Sequence, residues 1–204
     1  MRKSNLTNPV DLDKTIKALK SDRYKSSKYR GKRLYVLTQL FTGLRFSDIE
    51  NMTFGDIVNH EYMFKTQRKN KKDIRMRYPS VFREYIQNVY DSIEYITDES
   101  YLTARNYATN KPTSYKTALR FAKALLDEND LIRESDKETN NTVNIGTHSF
   151  RKAFATRYYD RSEDKERALE DLCYHFNHSS VSMTRRYIGL NLNQISKSLE
   201  DVII

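Results

Sequence analysis

Hydrophobic side chains recur at helical spacing along most of this chain. Leu12, Ile16 and Leu19 predict a first helix. Leu34, Leu37, Leu40, Phe41 and Leu44 predict a second, with Gly43 placed to stop it, because glycine takes the left-handed conformation that closes a helix without steric cost. Phe82, Tyr85, Ile86, Val89 and Ile93 follow Pro79, a residue suited to a first helical turn. Tyr115, Leu119, Ala122, Leu125 and Leu126 form a further stripe; Phe150, Phe154 and Tyr158 another; Ala168, Leu169, Leu172 and Phe176 the last. Between the second and third helices the pattern changes to alternation, around Phe54–Val58, Glu61–Thr66 and Asp73–Arg77, with a basic turn from Gln67 to Lys72. Residues 133–146 read as a polar loop ending at Gly146. The expected fold is mostly α with a small antiparallel three-stranded sheet (α+β), in one domain.

A chain of 204 residues suits one such domain and buries a core without disulfides or metals. With one cysteine, Cys173, no internal disulfide forms, which fits a reducing cytoplasm. The mean hydropathy is −0.81, no apolar run approaches a membrane span, and the start Met1-Arg2-Lys3-Ser4-Asn5 carries no signal-peptide core, so no membrane role is expected. Five dispersed glycines form neither a Walker A loop nor a dinucleotide fingerprint.

The formal charge is +9 and is unevenly distributed. Residues 14–33 carry nine basic side chains against Asp22, and residues 65–77 carry seven against Asp73. Residues 127–138 lean the other way, with six acids against Arg133 and Lys137. A polyanion-facing side and a solvated acidic side produce this split.

Three blocks supply the parts of metal-free phosphoryl transfer, which needs cations for the non-bridging oxygens, a nucleophile and a proton donor for the leaving oxygen. Thr42-Gly43-Leu44-Arg45-Phe46-Ser47-Asp48-Ile49 sets an arginine behind a helix-ending glycine, with an acid three residues on that can orient it. His148-Ser149-Phe150-Arg151 sets an imidazole and a guanidinium one helical turn apart. His178 precedes Tyr187 by nine residues. Taken singly, Arg45 and Asp48 read as helix-end residues, His148 as a partly buried histidine, and Tyr187 as one of fifteen tyrosines. Cys173, His175 and His178 suggest zinc, but the spacing lacks a nearby fourth ligand, so His175 is expected on a helix flank.

In this order, the blocks resemble those of the tyrosine recombinase (phage integrase) family: T-G-x-R-x-S-[DE]-[IL], then H-x-x-R, then L-G-H with a tyrosine at the same nine-residue spacing. The resemblance runs over residues 8 to 190 and implies that family's catalytic-domain fold. It implies that Tyr187 attacks the scissile phosphate to form a 3′-phosphotyrosine, that Arg45 and Arg151 clamp the non-bridging oxygens, that His148 assists proton transfer and that His178 donates to the phosphate. It also implies a lysine in the 67–72 turn as the acid for the leaving 5′ oxygen. The apolar alternation of Ile74 and Met76 favours Lys69, with Lys71 the nearest rival. Asp48 would orient Arg45.

The implied activity is site-specific DNA recombination, with no cofactor and no metal. The implied partners are double-stranded DNA and further copies of the chain, a dimer on each site and a tetramer in the synapse, with room for accessory DNA-bending proteins. Lys25, Lys28, Arg30, Arg68, Lys71, Lys72 and Arg185 are the candidate DNA contacts. A DNA-binding regulator that kept the fold and a type IB-like topoisomerase are the alternatives.

Two departures from the family pattern stand out. Phe176-Asn177-His178 replaces Leu-Gly-His, and asparagine is among the better substitutes for a glycine at positive φ. Only residues 1–10 precede the first helix of the catalytic domain, placed at 11–190, so the chain looks like a single-domain member or a catalytic portion without the family's N-terminal clamp. Residues 191–204 form an amphipathic tail, with Leu192, Ile195, Leu199 and Val202 on one face, that would dock on its own domain or on a neighbouring protomer.

Overall fold

A computed structural model of the chain describes residues 10–66, 73–129, 131 and 146–190. All of the expected extension but Val10, most of the polar loop, the basic turn and the amphipathic tail lie outside these residues.

The described helices are α1 (Leu12–Lys20), α2 (Asp22–Lys25), α3 (Arg30–Thr42), α4 (Phe46–Ile49), α5 (Gly55–Val58), α6 (Ser80–Asp91), α7 (Tyr115–Glu128), α8 (Ser149–Arg161), α9 (Lys165–Phe176) and α10 (Val181–Tyr187). Capping side chains fix several starts: Asp11 accepts from the Lys14 N–H, Ser114 from Thr117, Asp164 from Arg167 and Ser180 from Met183. None of the described helices is long and apolar enough to cross a membrane.

Helix α3 is the axis of the main core. Every residue from Leu34 to Leu40 is buried, including Thr38 and Gln39, because α1, α2, α4, α7 and α8 pack around it. The buried polar groups are satisfied internally: Thr38 Oγ1 donates to the Leu34 carbonyl at 2.7 Å, and Tyr35 donates to Gln39 Oε1 at 3.0 Å. A smaller second cluster joins α8, α9 and α10 through Ala155, Leu169, Leu172, Phe176 and Ile188, with Tyr187 packed against it.

The sheet differs from expectation. Strands β1 (Tyr62–Thr66) and β2 (Asp73–Arg77) pair antiparallel from Tyr62↔Arg77 to Thr66↔Asp73. Met63 and Met76 oppose each other on the inner side, while Phe64 and Arg75 face out. The third expected strand, at 54–58, is instead the helical turn α5. Thr53 N–H donates to Asp56 Oδ2 at 2.8 Å and Asp56 N–H to Thr53 Oγ1 at 3.2 Å, a reciprocal capping arrangement that nucleates a turn. Phe54 and Ile57, three residues apart, are the buried pair, so the helical period wins over the apparent alternation. The isolated bridge Thr53↔Tyr101 is the strand-like remnant beside it. Among the described residues the fold is therefore mostly helical with one two-stranded sheet.

Candidate active site

Two helix ends build the site. At the first, Gly43 closes α3 in the left-handed conformation (φ 63°), its N–H returning to the Gln39 carbonyl at 2.9 Å. A Cβ there would sit 2.4 Å from the Phe154 ring, so glycine is required by space as well as by φ. Gln39 Nε2 donates to the Leu44 carbonyl at 2.9 Å and holds the turn from inside. The chain then re-enters α4 with Arg45 at the N-cap, where the buried Asp48 carboxylate accepts the Arg45 backbone N–H at 3.3 Å. Asp48 thus fixes the stem from which the Arg45 side chain projects.

At the second end, Asn177 closes α9 in the left-handed conformation (φ 51°, ψ 45°), the geometry expected where the family pattern has glycine. The His178 N–H returns to the Cys173 carbonyl at 3.0 Å. Arg45 Nη2 donates to the Phe176 carbonyl at 3.2 Å and so ties the two helix ends together.

Arg151, on α8, lies beneath both ends and is 2 % exposed. Its Nη1 donates to the Gly43 carbonyl at 2.5 Å, and its guanidinium carbon sits 3.8 Å from the centroid of the Phe176 ring. Burial lowers its pKa to about 10, so it stays charged at neutral pH.

Tyr187 ends α10. Its ring stands edge-on to Phe176 at 5.5 Å and to His178 at 5.3 Å. Burial pushes its hydroxyl up to about 12, against the opposing pull of Arg151 and Arg45. The Arg151 guanidinium draws on the hydroxyl electrostatically, and the oxygen is buried with no partner at full hydrogen-bond geometry. Such an orphaned hydroxyl costs free energy until something that hydrogen-bonds enters the site.

His178 Nδ1 pairs with the fully buried Thr184 hydroxyl at 2.9 Å. Burial, then Arg151 and Arg45, holds its pKa down to about 4, so the ring is neutral at pH 7. With Thr184 donating to Nδ1, Nε2 carries the proton and can donate to a ligand. His148 occupies the N-cap of α8 and is exposed, three residues before Arg151.

Arg45, Arg151, His178 and Tyr187 are thus brought together around Phe176, with Asp48 behind Arg45 and His148 at the near end of α8. Lys69, Arg68, Lys71 and Lys72 lie outside the described residues. Of the other candidate DNA contacts, Lys25 is exposed and paired with Asp22 at 2.7 Å, and Arg185 holds both carboxylate oxygens of Glu166, at 2.6 and 2.8 Å. Lys28 lies over Tyr29, and Arg30 over Tyr107.

Two residues have a larger part here than their sequence context suggested. His175, on α9, packs against Phe154 and Phe176, its Nε2 is 2.7 Å from the Thr42 carbonyl, and burial lowers its pKa to about 4. Its spacing three residues after Leu172 was the available signal. Lys152 follows Arg151, is 4 % exposed, and holds its ammonium 5.3 Å from the Tyr187 ring centroid; burial lowers its pKa to about 8. No sequence feature distinguished it from the other lysines. No group of three or more histidine, cysteine or acidic side chains among the described residues could hold a metal ion.

Comparison with known proteins places this geometry. The sequence model of the phage integrase family matches residues 8–194. A probable integrase/recombinase of Bacillus subtilis (strain 168), YoeC, is 29% identical over 150 residues, covering 74% of this chain and 72% of its own length. The tyrosine recombinase XerH of Campylobacter jejuni is 27% identical over 200 residues, covering 94% of this chain and 51% of its own. Among solved structures, XerH site-specific recombinase bound to a palindromic difH substrate, in a post-cleavage complex, superposes with a TM-score of 0.68. Identity there is 15%, with 96% of this chain and 53% of that one covered, so the likeness is one of fold. The chain spans about half the length of XerH.

Proposed function

This chain belongs to the phage integrase family, and we propose that it is a site-specific DNA recombinase that cleaves and rejoins strands through a covalent 3′-phosphotyrosine. In this reading Tyr187 Oη attacks the scissile phosphorus; the new P–O bond to tyrosine forms as the P–O5′ bond breaks. The phenolic proton leaves with the help of His148, and the 5′ oxygen departs with a proton from Lys69, or from Lys71 as the alternative. Arg45 and Arg151 hold the non-bridging oxygens, and His178 donates to one of them from Nε2. Attack by another strand's 5′ hydroxyl reverses the step, so the phosphodiester energy is conserved and no nucleotide is consumed.

The observation that carries the reading is the buried, unpartnered Tyr187 hydroxyl, set beside Arg151 and His178. Arg151 and Arg45 are already anchored on the Gly43 and Phe176 carbonyls, so neither needs ordering when a phosphate arrives. Residues 11–190 are the catalytic domain in this proposal, acting on DNA in the cytoplasm. Protomers pair on each site, four meet in the synapse, and residues 191–204 dock on a neighbouring copy. Lys25, Lys28, Arg30, Arg68, Lys71, Lys72 and Arg185 contact the duplex, the first and last after leaving their carboxylate partners.

The test is covalent trapping. Wild type and Tyr187→Phe are incubated, without divalent metal, with nicked duplexes tiled from DNA flanking the gene. An SDS-resistant, protease-sensitive adduct with wild type alone is the expected result. Tight binding with no adduct from either protein would instead indicate a DNA-binding regulator.

A further inference from the structure

Two consecutive residues of α8 act on different parts of one phenol. Arg151, with Arg45, draws on the Tyr187 hydroxyl, and each guanidinium is anchored in turn on a backbone carbonyl. Lys152 meets the ring instead, its ammonium lying over it at 5.3 Å from the centroid. Phe176 stands edge-on to the same ring at 5.5 Å and His178 at 5.3 Å, so three side chains enclose it. The Lys152 N–H donates to the His148 carbonyl at 3.0 Å, which fixes the stem of the lysine within the first turns of α8.

An ammonium is an expensive group to place here. Lys152 is 4 % exposed, and burial lowers its pKa to about 8, so the surroundings on balance disfavour the charge while leaving it prevalent at pH 7. It also follows Arg151, another buried cation. A methionine of similar length would fill the position without that cost. What the charge supplies is an attraction that changes during the reaction. A neutral phenol ring draws a cation through its quadrupole. As the phenolic proton leaves, negative charge on the oxygen delocalises into the ring, and the attraction grows. An interaction stronger at that stage than in the resting site lowers the barrier, and a water-excluded site screens it little.

We propose that Lys152 is a positioning residue for the nucleophile: its ammonium seats the Tyr187 ring against Phe176 and His178 and steadies the negative charge that spreads onto the ring as the hydroxyl gives up its proton. No bond to Lys152 forms or breaks; the ammonium keeps its proton, and the phenolic proton leaves with the help of His148. The proposal rests on the reading of Tyr187 as the nucleophile of a DNA recombinase, and adds to it a residue one position outside the H-x-x-R block.

The test is single-turnover formation of the protein–DNA adduct on a saturating nicked duplex by wild type, Lys152→Met and Lys152→Arg. Duplex affinity and the urea midpoint are measured for each. Lys152→Met is expected to form the adduct about 30-fold more slowly, with duplex affinity unchanged within about twofold. Its urea midpoint is expected at or above that of wild type, because a buried charge is removed. Lys152→Arg keeps the charge and is expected to stay within about fivefold of the wild-type rate. Tyr187→3,5-difluorotyrosine makes the phenol more acidic, so it needs less help, and the deficit caused by Lys152→Met is expected to shrink to about threefold in that background. A Lys152→Met rate within about twofold of wild type would overturn the proposal. So would an equal deficit in Lys152→Arg, a deficit accompanied by a lower urea midpoint, or one that the difluorotyrosine leaves undiminished, since a residue that only packs gives those results. Each of these outcomes, with an adduct from wild type, leaves the recombinase reading standing. No adduct from wild type would overturn that reading and this proposal with it.

Discussion

His175 Nε2 lies 2.7 Å from the carbonyl oxygen of Thr42, binding the last turn of α9 to the last residue of α3. The contact sits directly before Gly43, whose own carbonyl receives Arg151, so one half-buried imidazole braces the turn that leads into Arg45 and supports Arg151. Nε2 carries the proton donated there, and it is burial that keeps the ring neutral at pH 7.

That neutrality gives a pH dependence with a definite sign. Burial lowers the His175 pKa from 6.5 to about 4, so the unfolded chain takes up the proton first as pH falls. The stability contribution is whole above pH 6.5 and is lost progressively as the pH falls toward 4. His175→Leu should therefore lose less stability than wild type between pH 7 and pH 5, by about 2 kcal/mol. Urea denaturation of both proteins at the two pH values measures this, and parallel losses would contradict it. His178, shifted in the same direction, remains in both proteins and drops out of the difference.

Gly43→Ala combines a left-handed residue with a Cβ 2.4 Å from the Phe154 ring. A cost of about 2–4 kcal/mol is expected from strain and overpacking together. Adding Phe154→Leu should recover part of it, because space is relieved while φ is not. Denaturant midpoints of the single and double variants measure the two parts.

Asn177 holds the matching left-handed position on α9, and its Nδ2 is buried without a partner. Asn177→Gly removes both costs and adds unfolded-state entropy, leaving a net gain of up to about 1 kcal/mol. Asn177→Ala keeps the backbone strain and should lose about 1–2 kcal/mol. The order of melting temperatures, glycine at or above asparagine and asparagine above alanine, is the observable.

The acid for the leaving oxygen is separable from its neighbours by changing the leaving group. Sulfur in place of the bridging 5′ oxygen departs as a thiolate and needs little protonation. Lys69→Ala should slow cleavage of ordinary DNA by about 100-fold or more and cleave the sulfur substrate at the wild-type rate. Rescue seen with Lys71→Ala instead would move the role to Lys71. Single-turnover adduct formation on the two substrates is the measurement.

Much of the scaffold was legible because its signals are local. The stripe Leu34–Leu37–Leu40 and the glycine behind it fix both a helix and its end, and a residue confined to positive φ is recognisable wherever it occurs. The same holds for Asn177 in place of a glycine. The segment 54–58 is too short for its apolar positions to separate a strand from a helical turn, and the deciding Thr53–Asp56 capping bonds are a matter of geometry.

By itself, then, the sequence determined which chemical groups the chain carries, in what order, and the helices that present them. Only the tertiary structure decided that Arg151 rests on the Gly43 carbonyl, that Arg45 rests on the carbonyl of Phe176, and that His175 braces the end of α3. It also decided that Lys152 lies against the Tyr187 ring. These contacts join residues more than a hundred positions apart or face them across packed helices. Their energetics depend on burial, and burial is a property of the assembled core that no local stretch of sequence contains.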